Sequence, residues 1–133
     1  ASDVYKRQEF LGYKSGQELM DLKKNAYFVV VPSEWYENNP MAIIESYCEG
    51  VPAIGSRIGG IPEIINEGKT GYIFKPHNTT ELTEKIAKAS DLSAEVYQQM
   101  SDNAISFAHK DMSKESYYKR LLPFYEQLLN NKK

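Results

Sequence analysis

Two glutamates, Glu37 and Glu45, stand with seven residues between them across a predicted helix start, in the stretch Val31-Pro32-Ser33-Glu34-Trp35-Tyr36-Glu37-Asn38-Asn39-Pro40-Met41-Ala42-Ile43-Ile44-Glu45. An ionised carboxylate accepts two hydrogen bonds, which suits a vicinal diol such as a ribose. The free N–H groups at a helix start favour an anion, phosphate above all. Pro40 has no N–H, so the Met41 and Ala42 amides are the available donors. Glu45 lies five residues past Pro40, about 7.5 Å along a helix axis at 1.5 Å per residue. The spacing therefore allows one ligand between the two acids, with Glu37 at the mouth and Glu45 on the second turn. Spacing alone selects nothing: with 13 glutamates in 133 residues, about one such pair arises by chance. The surrounding residues carry the signal.

The elements that must position these groups follow from local rules. Glu9 to Tyr13 reads as a strand end closed by a turn at Gly12. Ser15 and Glu18 form a capping-box pattern opening a helix from about Gly16 to Asn25. Tyr27 to Val31 is a continuous apolar, β-branched run, the mark of a parallel strand covered on both faces. Pro32 and Ser33 end it. Asn39 is the predicted N-cap and Pro40 the first helical residue, with the helix stopping at Gly50. Val51 to Gly55 is a short strand, Ile61 to Ile65 a short helix, and Tyr72 to Phe74 another strand. Asn78 with Glu81 caps a helix to about Ala89. Ser93 opens a helix to about His109, and Ser113 opens the last, which Pro123 should kink or divide. Strands alternating with helices predict βαβ units and a parallel sheet; about four short strands are expected. The tail is helical, its tyrosines and leucines expected to pack mostly onto the domain.

Composition excludes several classes. The chain is 41% hydrophobic and 26% charged, ordinary globular usage. A net charge of −2 argues against nucleic acid as a partner drawn by bulk charge. A single cysteine, Cys48, gives no disulfide framework and no cysteine-based zinc site, and it reads as a small buried hydrophobe. His77 and His109 are too far apart for metal-ligand spacing, so no metal is expected. No apolar run reaches the roughly 20 residues of a transmembrane segment.

Six motifs in matching order lie between Phe10 and Glu84: Phe10-Leu11-Gly12, Pro32-Ser33, Glu37-x7-Glu45, Glu49-Gly50-Val51-Pro52, Gly59-Gly60-Ile61-Pro62-Glu63, and Gly68-Lys69-Thr70-Gly71-Tyr72. Together they resemble the carboxyl-terminal, Rossmann-like domain of the retaining, nucleotide-sugar-dependent glycosyltransferases (group 1, family 4-like, GT-B fold). The helical tail matches only in type. The resemblance implies an α/β fold, a Rossmann-like parallel sheet flanked by helices, forming a truncated C-terminal half of a GT-B fold. It implies transfer of a hexosyl group from a nucleotide-diphosphate sugar to a glycan or lipid-linked acceptor, with retention of anomeric configuration, as in bacterial polysaccharide assembly. By this resemblance Glu37 meets donor-sugar hydroxyls at the catalytic centre and Glu45 holds the ribose diol. Asn39 lies in the donor loop, the Met41 and Ala42 amides meet the diphosphate, and Gly12-Tyr13 lies near the base. No metal and no cofactor besides the donor is implied. A cytoplasmic location follows for the whole protein, with peripheral contact to the inner membrane.

The departures matter as much. The family's diphosphate-neutralising Arg and Lys lie upstream of the matched region, and the acceptor-binding N-terminal domain has no counterpart here. The chain alone is therefore expected to be inactive and to bind donor weakly. Ser2 to Gln8 resembles a translated sequencing-adapter segment, which implies residues 1–8 are foreign and the native reading begins near Glu9; an ordinary disordered arm is the alternative. Two rival readings compete with the transferase. One is a glycoside hydrolase using Glu37 and Glu45, disfavoured because no barrel fits. The other is a non-catalytic α/β nucleotide-binding or interaction module.

Overall fold

A computed structural model describes residues 8–131; residues 1–7, on which the adapter reading chiefly falls, lie outside the described residues. Three strands, β1 (Val29–Val31), β2 (Ala53–Ser56) and β3 (Gly71–Phe74), form one parallel sheet in the order β1-β2-β3. Val30 pairs with Ile54, and Ile54 with Tyr72. Parallel neighbours need a crossover. Helix α2 (Met41–Cys48) supplies it between β1 and β2, and α3 (Ile61–Ile64) between β2 and β3. Helix α1 (Gly16–Lys24) precedes the sheet; α4 (Thr79–Ser90), α5 (Ala94–Ser106) and α6 (Lys114–Asn130) follow it.

Successive strand residues face opposite ways, so β2 and β3 each feed two cores. Ala53 and Ile73 join Ile43, Tyr47, Ile61, Ile64 and Ile65 on one face. Ile54, Tyr72 and Phe74 join Ala89 and Met100 on the other. Helix α5 reaches both cores, through Met100 and Ala104. The free edge of β3 is partly closed by Glu67, whose carboxylate accepts from the Ile73 amide at 2.6 Å and from Lys85 Nζ at 2.6 Å.

Several expectations are corrected. Glu9 to Tyr13 forms no strand, because none of the described strands pairs with it. Among the described residues the sheet therefore holds three strands, not four. The β1 run is not covered on both faces: Val31 packs against one core, but Val30, on the opposite face, is 41% exposed. Ser15 occupies the N-cap of α1 without a side-chain cap bond, and the Glu18 carboxylate, expected to reach back to it, pairs with Lys14. Pro40, not Asn39, is the N-cap of α2; the Asn39 amide turns to the Met41 sulfur, 3.6 Å away. Cys48 is exposed. Helix α6 runs unbroken through Pro123 and buries none of its residues. With no buried residue along the helix, water can hydrate the carbonyl that Pro123's missing N–H leaves unpaired, which lowers its cost. Tyr117, Phe124, Leu128 and Leu129 are each more than 60% exposed.

Other signals are realised. Asn78 Oδ1 accepts from the Glu81 amide at 3.0 Å, and Ser93 and Ser113 cap their helices in the same manner. Helix α5 passes into a π-helical turn, Phe107–Asp111, closed by the Met112 amide on the Phe107 carbonyl at 3.3 Å.

Tyr47 is fully buried, and its hydroxyl donates to Thr70 Oγ1 at 2.9 Å. Burial pushes that hydroxyl well above its ordinary range, against the smaller opposing effect of the Thr70 bond. Burial also raises Tyr72 and Tyr97. The folded chain keeps these protons at pH values where unfolded phenols, with pKa near 10, have lost them. This contribution is complete below about pH 10 and falls as pH rises further. Urea midpoints should therefore hold steady to about pH 9 and drop above about pH 10. In Tyr47→Phe that alkaline drop should be shallower, and an unchanged slope would contradict the assignment to Tyr47.

Candidate functional site

The loop after β1 opens at the carboxyl end of the sheet, where open parallel sheets gather their ligands. Ser56 Oγ, at the end of β2, donates to the Ser33 carbonyl at 2.6 Å and ties the loop's start to the sheet. Glu37 is half-buried. Its Oε1 accepts from Ser33 Oγ at 3.1 Å and from Trp35 Nε1 at 3.2 Å. Two donors on one oxygen fix the carboxylate's direction, and the Glu37 Oε2 atom has no partner among the described residues.

A second clamp acts on the backbone. The Gly60 amide donates to the Glu37 carbonyl at 2.6 Å. Gly59 has φ +56, and a Cβ there would lie 2.4 Å from the Glu37 carbonyl oxygen and 2.6 Å from its nitrogen. A Cβ on Gly60 would lie 2.4 Å from the Asn38 oxygen. Backbone meets backbone at this point, with no room for a side chain. The cavity beside it, about 320 Å³, is lined by Tyr36, Glu37, Asn38, Gly59, Gly60 and Glu63.

Helix α2 is held by Ile43, Ser46 and Tyr47, all buried, so the core sets its axis and the place of its first turn. The Pro40 carbonyl accepts from the Ile43 and Ile44 amides. The Met41 and Ala42 amides have no acceptor among the described residues, as the start of a helix dictates. Glu45, one turn on, is 43% exposed at its side chain and pairs with Lys23 of α1. Asn39 and Met41 line a separate cleft of about 330 Å³ between α2 and the start of α6, with Met112, Lys114, Tyr117 and Arg120 among its walls.

The structure brings Glu37, Asn39, Met41, Ala42 and Glu45 along one loop-to-helix passage. Glu45 lines neither the Glu37 cavity nor the cleft beside α6. Gly12 and Tyr13 stand apart. Tyr13 is 92% exposed, a Cβ at Gly12 would meet nothing within 4 Å, and no hydrogen bond joins that turn to the Glu37 loop. Trp35 is 70% exposed, and its indole N–H serves Glu37 rather than packing. Sequence reasoning missed Lys23 as the partner of Glu45 and Ser33 as a partner of Glu37. The Ser33 bond had a faint local signal in its four-residue separation; the Lys23 pair had none. Among the described residues no group of three or more His, Cys, Asp or Glu side chains could hold a metal ion, and no helix is long and apolar enough to cross a membrane.

Comparison with known proteins adds to this geometry. The family model described as "Glycosyl transferases group 1" matches residues 2–107. The chain is 35% identical over 80 residues to the sulfoquinovosyl transferase of Arabidopsis thaliana, covering 58% of this chain and 16% of that protein. It is 31% identical over 102 residues to an uncharacterized glycosyltransferase of Methanocaldococcus jannaschii, covering 77% of this chain and 28% of that protein. The chain thus spans between 16% and 28% of the length of these two relatives. The crystal structure of Anabaena HepE in complex with UDP matches 94% of this chain and 34% of its own, with a TM-score of 0.80 at 19% identity. That likeness is one of fold: a parallel sheet flanked by helices, as in the C-terminal half of a GT-B molecule.

Proposed function

The chain belongs to the group 1 glycosyl transferases, and from that premise we propose that it carries the donor side of a retaining hexosyl transfer from a nucleotide-diphosphate sugar. The observation that carries the reading is the passage from β1 to α2. It presents the Met41 and Ala42 amides, which have no acceptor among the described residues, four and five residues past Glu37, a carboxylate held at the loop's mouth. Those amides and the positive end of α2 attract the diphosphate. Glu45, with one oxygen unengaged, accepts from the ribose diol. Glu37 accepts from donor-sugar hydroxyls. As the sugar–phosphate bond breaks, negative charge grows on the diphosphate and positive charge on the ring. Fixed amides and a fixed carboxylate stabilise both more than they stabilise the bound donor. Asn39 borders the same passage. Tyr13 reaches the base only if the Gly12 turn folds over the ligand. The UDP bound by HepE supports the ligand class.

On this reading the chemistry needs no metal, because protein donors meet the leaving diphosphate. The acceptor, a glycan or lipid-linked sugar, is met by a domain outside this chain. The whole protein works in the cytoplasm, in peripheral contact with the inner membrane. The 133-residue chain alone binds donor weakly and turns nothing over.

The test is an amide NMR titration of the chain with UDP, GDP and ADP, with EDTA present throughout. At millimolar concentration at least one should move the Met41 and Ala42 resonances. Glu45→Gln should weaken that binding about tenfold, the loss of a charged acceptor to a bound hydroxyl pair. No response to any of the three nucleotides would favour the interaction-module reading.

A further inference from the structure

Helix α1 buries none of its residues as a whole, yet the Lys23 side chain on its last turn is only 12% exposed. A cation withdrawn that far from water needs a counter-charge, because lost hydration is recovered only by a well-placed opposite charge. Its partner is Glu45, across 22 residues of sequence, with Lys23 Nζ donating to Glu45 Oε2. Among the described residues no second carboxylate reaches Lys23, and Glu45 Oε1 accepts from nothing.

The pairing matters for what would bind next to it. Glu45 lies four residues past Met41, about 6 Å along the helix axis. That is within the screening length of about 8 Å at physiological salt, so a bare carboxylate there repels a diphosphate seated on the Met41 and Ala42 amides. A site for a nucleoside diphosphate thus faces a conflict. It needs an acceptor for the ribose hydroxyls, but that acceptor's charge opposes the phosphates.

We infer that Lys23 is a positioning residue for nucleoside diphosphate binding. It pairs with one Glu45 oxygen and so offsets the charge that opposes the phosphates, while the other oxygen accepts from the diol with or without that pair. This rests on the donor-site reading above. A purely structural Lys23, pinning α1 to α2, would affect a neutral nucleoside and its diphosphate alike.

The experiment compares UDP with uridine as probes on the full 133-residue chain, by amide NMR titration. In Lys23→Met, UDP binding should weaken about tenfold and uridine binding by no more than about twofold. Lys23→Arg, which keeps the charge, should stay within about twofold of the unaltered chain for both. Lys23→Gln, which keeps a donor without charge, should resemble Lys23→Met. Equal weakening of UDP and uridine, or no weakening of either, overturns the inference. So does loss of the folded amide spectrum in both neutral variants while Lys23→Arg folds, since the tie is then structural. If the unaltered chain binds none of UDP, GDP and ADP, the donor-site reading itself has failed, and that outcome is recognisable before any variant is made.

Discussion

Gly59→Ala is expected to destabilise the chain by about 2–4 kcal/mol and to cut nucleotide binding by more than tenfold. Two effects add. At φ +56 an L side chain is strained, and the new Cβ falls 2.4–2.6 Å from the Glu37 backbone oxygen and nitrogen. Neither atom belongs to a flexible side-chain end that could swing aside. The Glu37–Asn38 segment must retreat, and with it go the Gly60–Glu37 bond at 2.6 Å and the aim of the carboxylate. Gly68→Ala separates the two effects. Gly68 has φ +74, but a Cβ there meets nothing within 4 Å. Its cost should be backbone strain alone, about 1 kcal/mol, with binding untouched. Urea denaturation and UDP titration of both variants decide the matter. Equal losses of binding in the two would mean that close approach at Gly59 does not seat Glu37.

Tyr47→Ala should cost about 3–5 kcal/mol, the usual range for emptying a large buried aromatic site. That is a large share of a stability of about 5–15 kcal/mol. Tyr47 is fully buried, packs edge-on against Phe107 with ring centres 6.0 Å apart, and shares its core with Ile43, Ala104 and Ala108. Tyr47→Phe removes only the bond to Thr70, whose hydroxyl still accepts from the Asn66 amide at 2.9 Å. Its cost should be about 1 kcal/mol. The gap between the two variants measures packing against hydrogen bonding. Denaturant midpoints at pH 7 give both, and a Tyr47→Ala loss below about 1.5 kcal/mol would show that this core collapses around the space. The consequence reaches the site, because Tyr47 fixes the helix whose first turn carries the Met41 and Ala42 amides.

How much of this was legible depended on the distance over which each cause acts. Asn78 and Glu81 were readable as a cap because a cap bond joins groups three residues apart, and it forms. Ser15 carried the same pattern, yet its side chain makes no cap bond, and Lys14 holds the Glu18 carboxylate that would have reached back. Asn39 lost its capping place to Pro40, whose non-helical ψ of 86 starts the helix one residue late. The apolar run Tyr27–Val31 marked a strand correctly, but burial of both its faces depends on what packs above and below the sheet, and Val30 is left 41% exposed. The leucines and aromatics of α6 kept helical spacing, and spacing says nothing about whether another surface covers them.

By itself the sequence determined the alternation of strand and helix, the parallel sheet, and the placing of Glu37 and the α2 start just past a strand's carboxyl end. Apolar runs, turn glycines and prolines act within a few residues, so their effects are written where they occur. Only the tertiary structure decided that Lys23 meets Glu45, that Gly59 and Gly60 brace Glu37, and that Tyr13 stands in solvent. These outcomes hang on which distant segments approach through space, and packing of the whole chain, rather than any local preference, sets that approach.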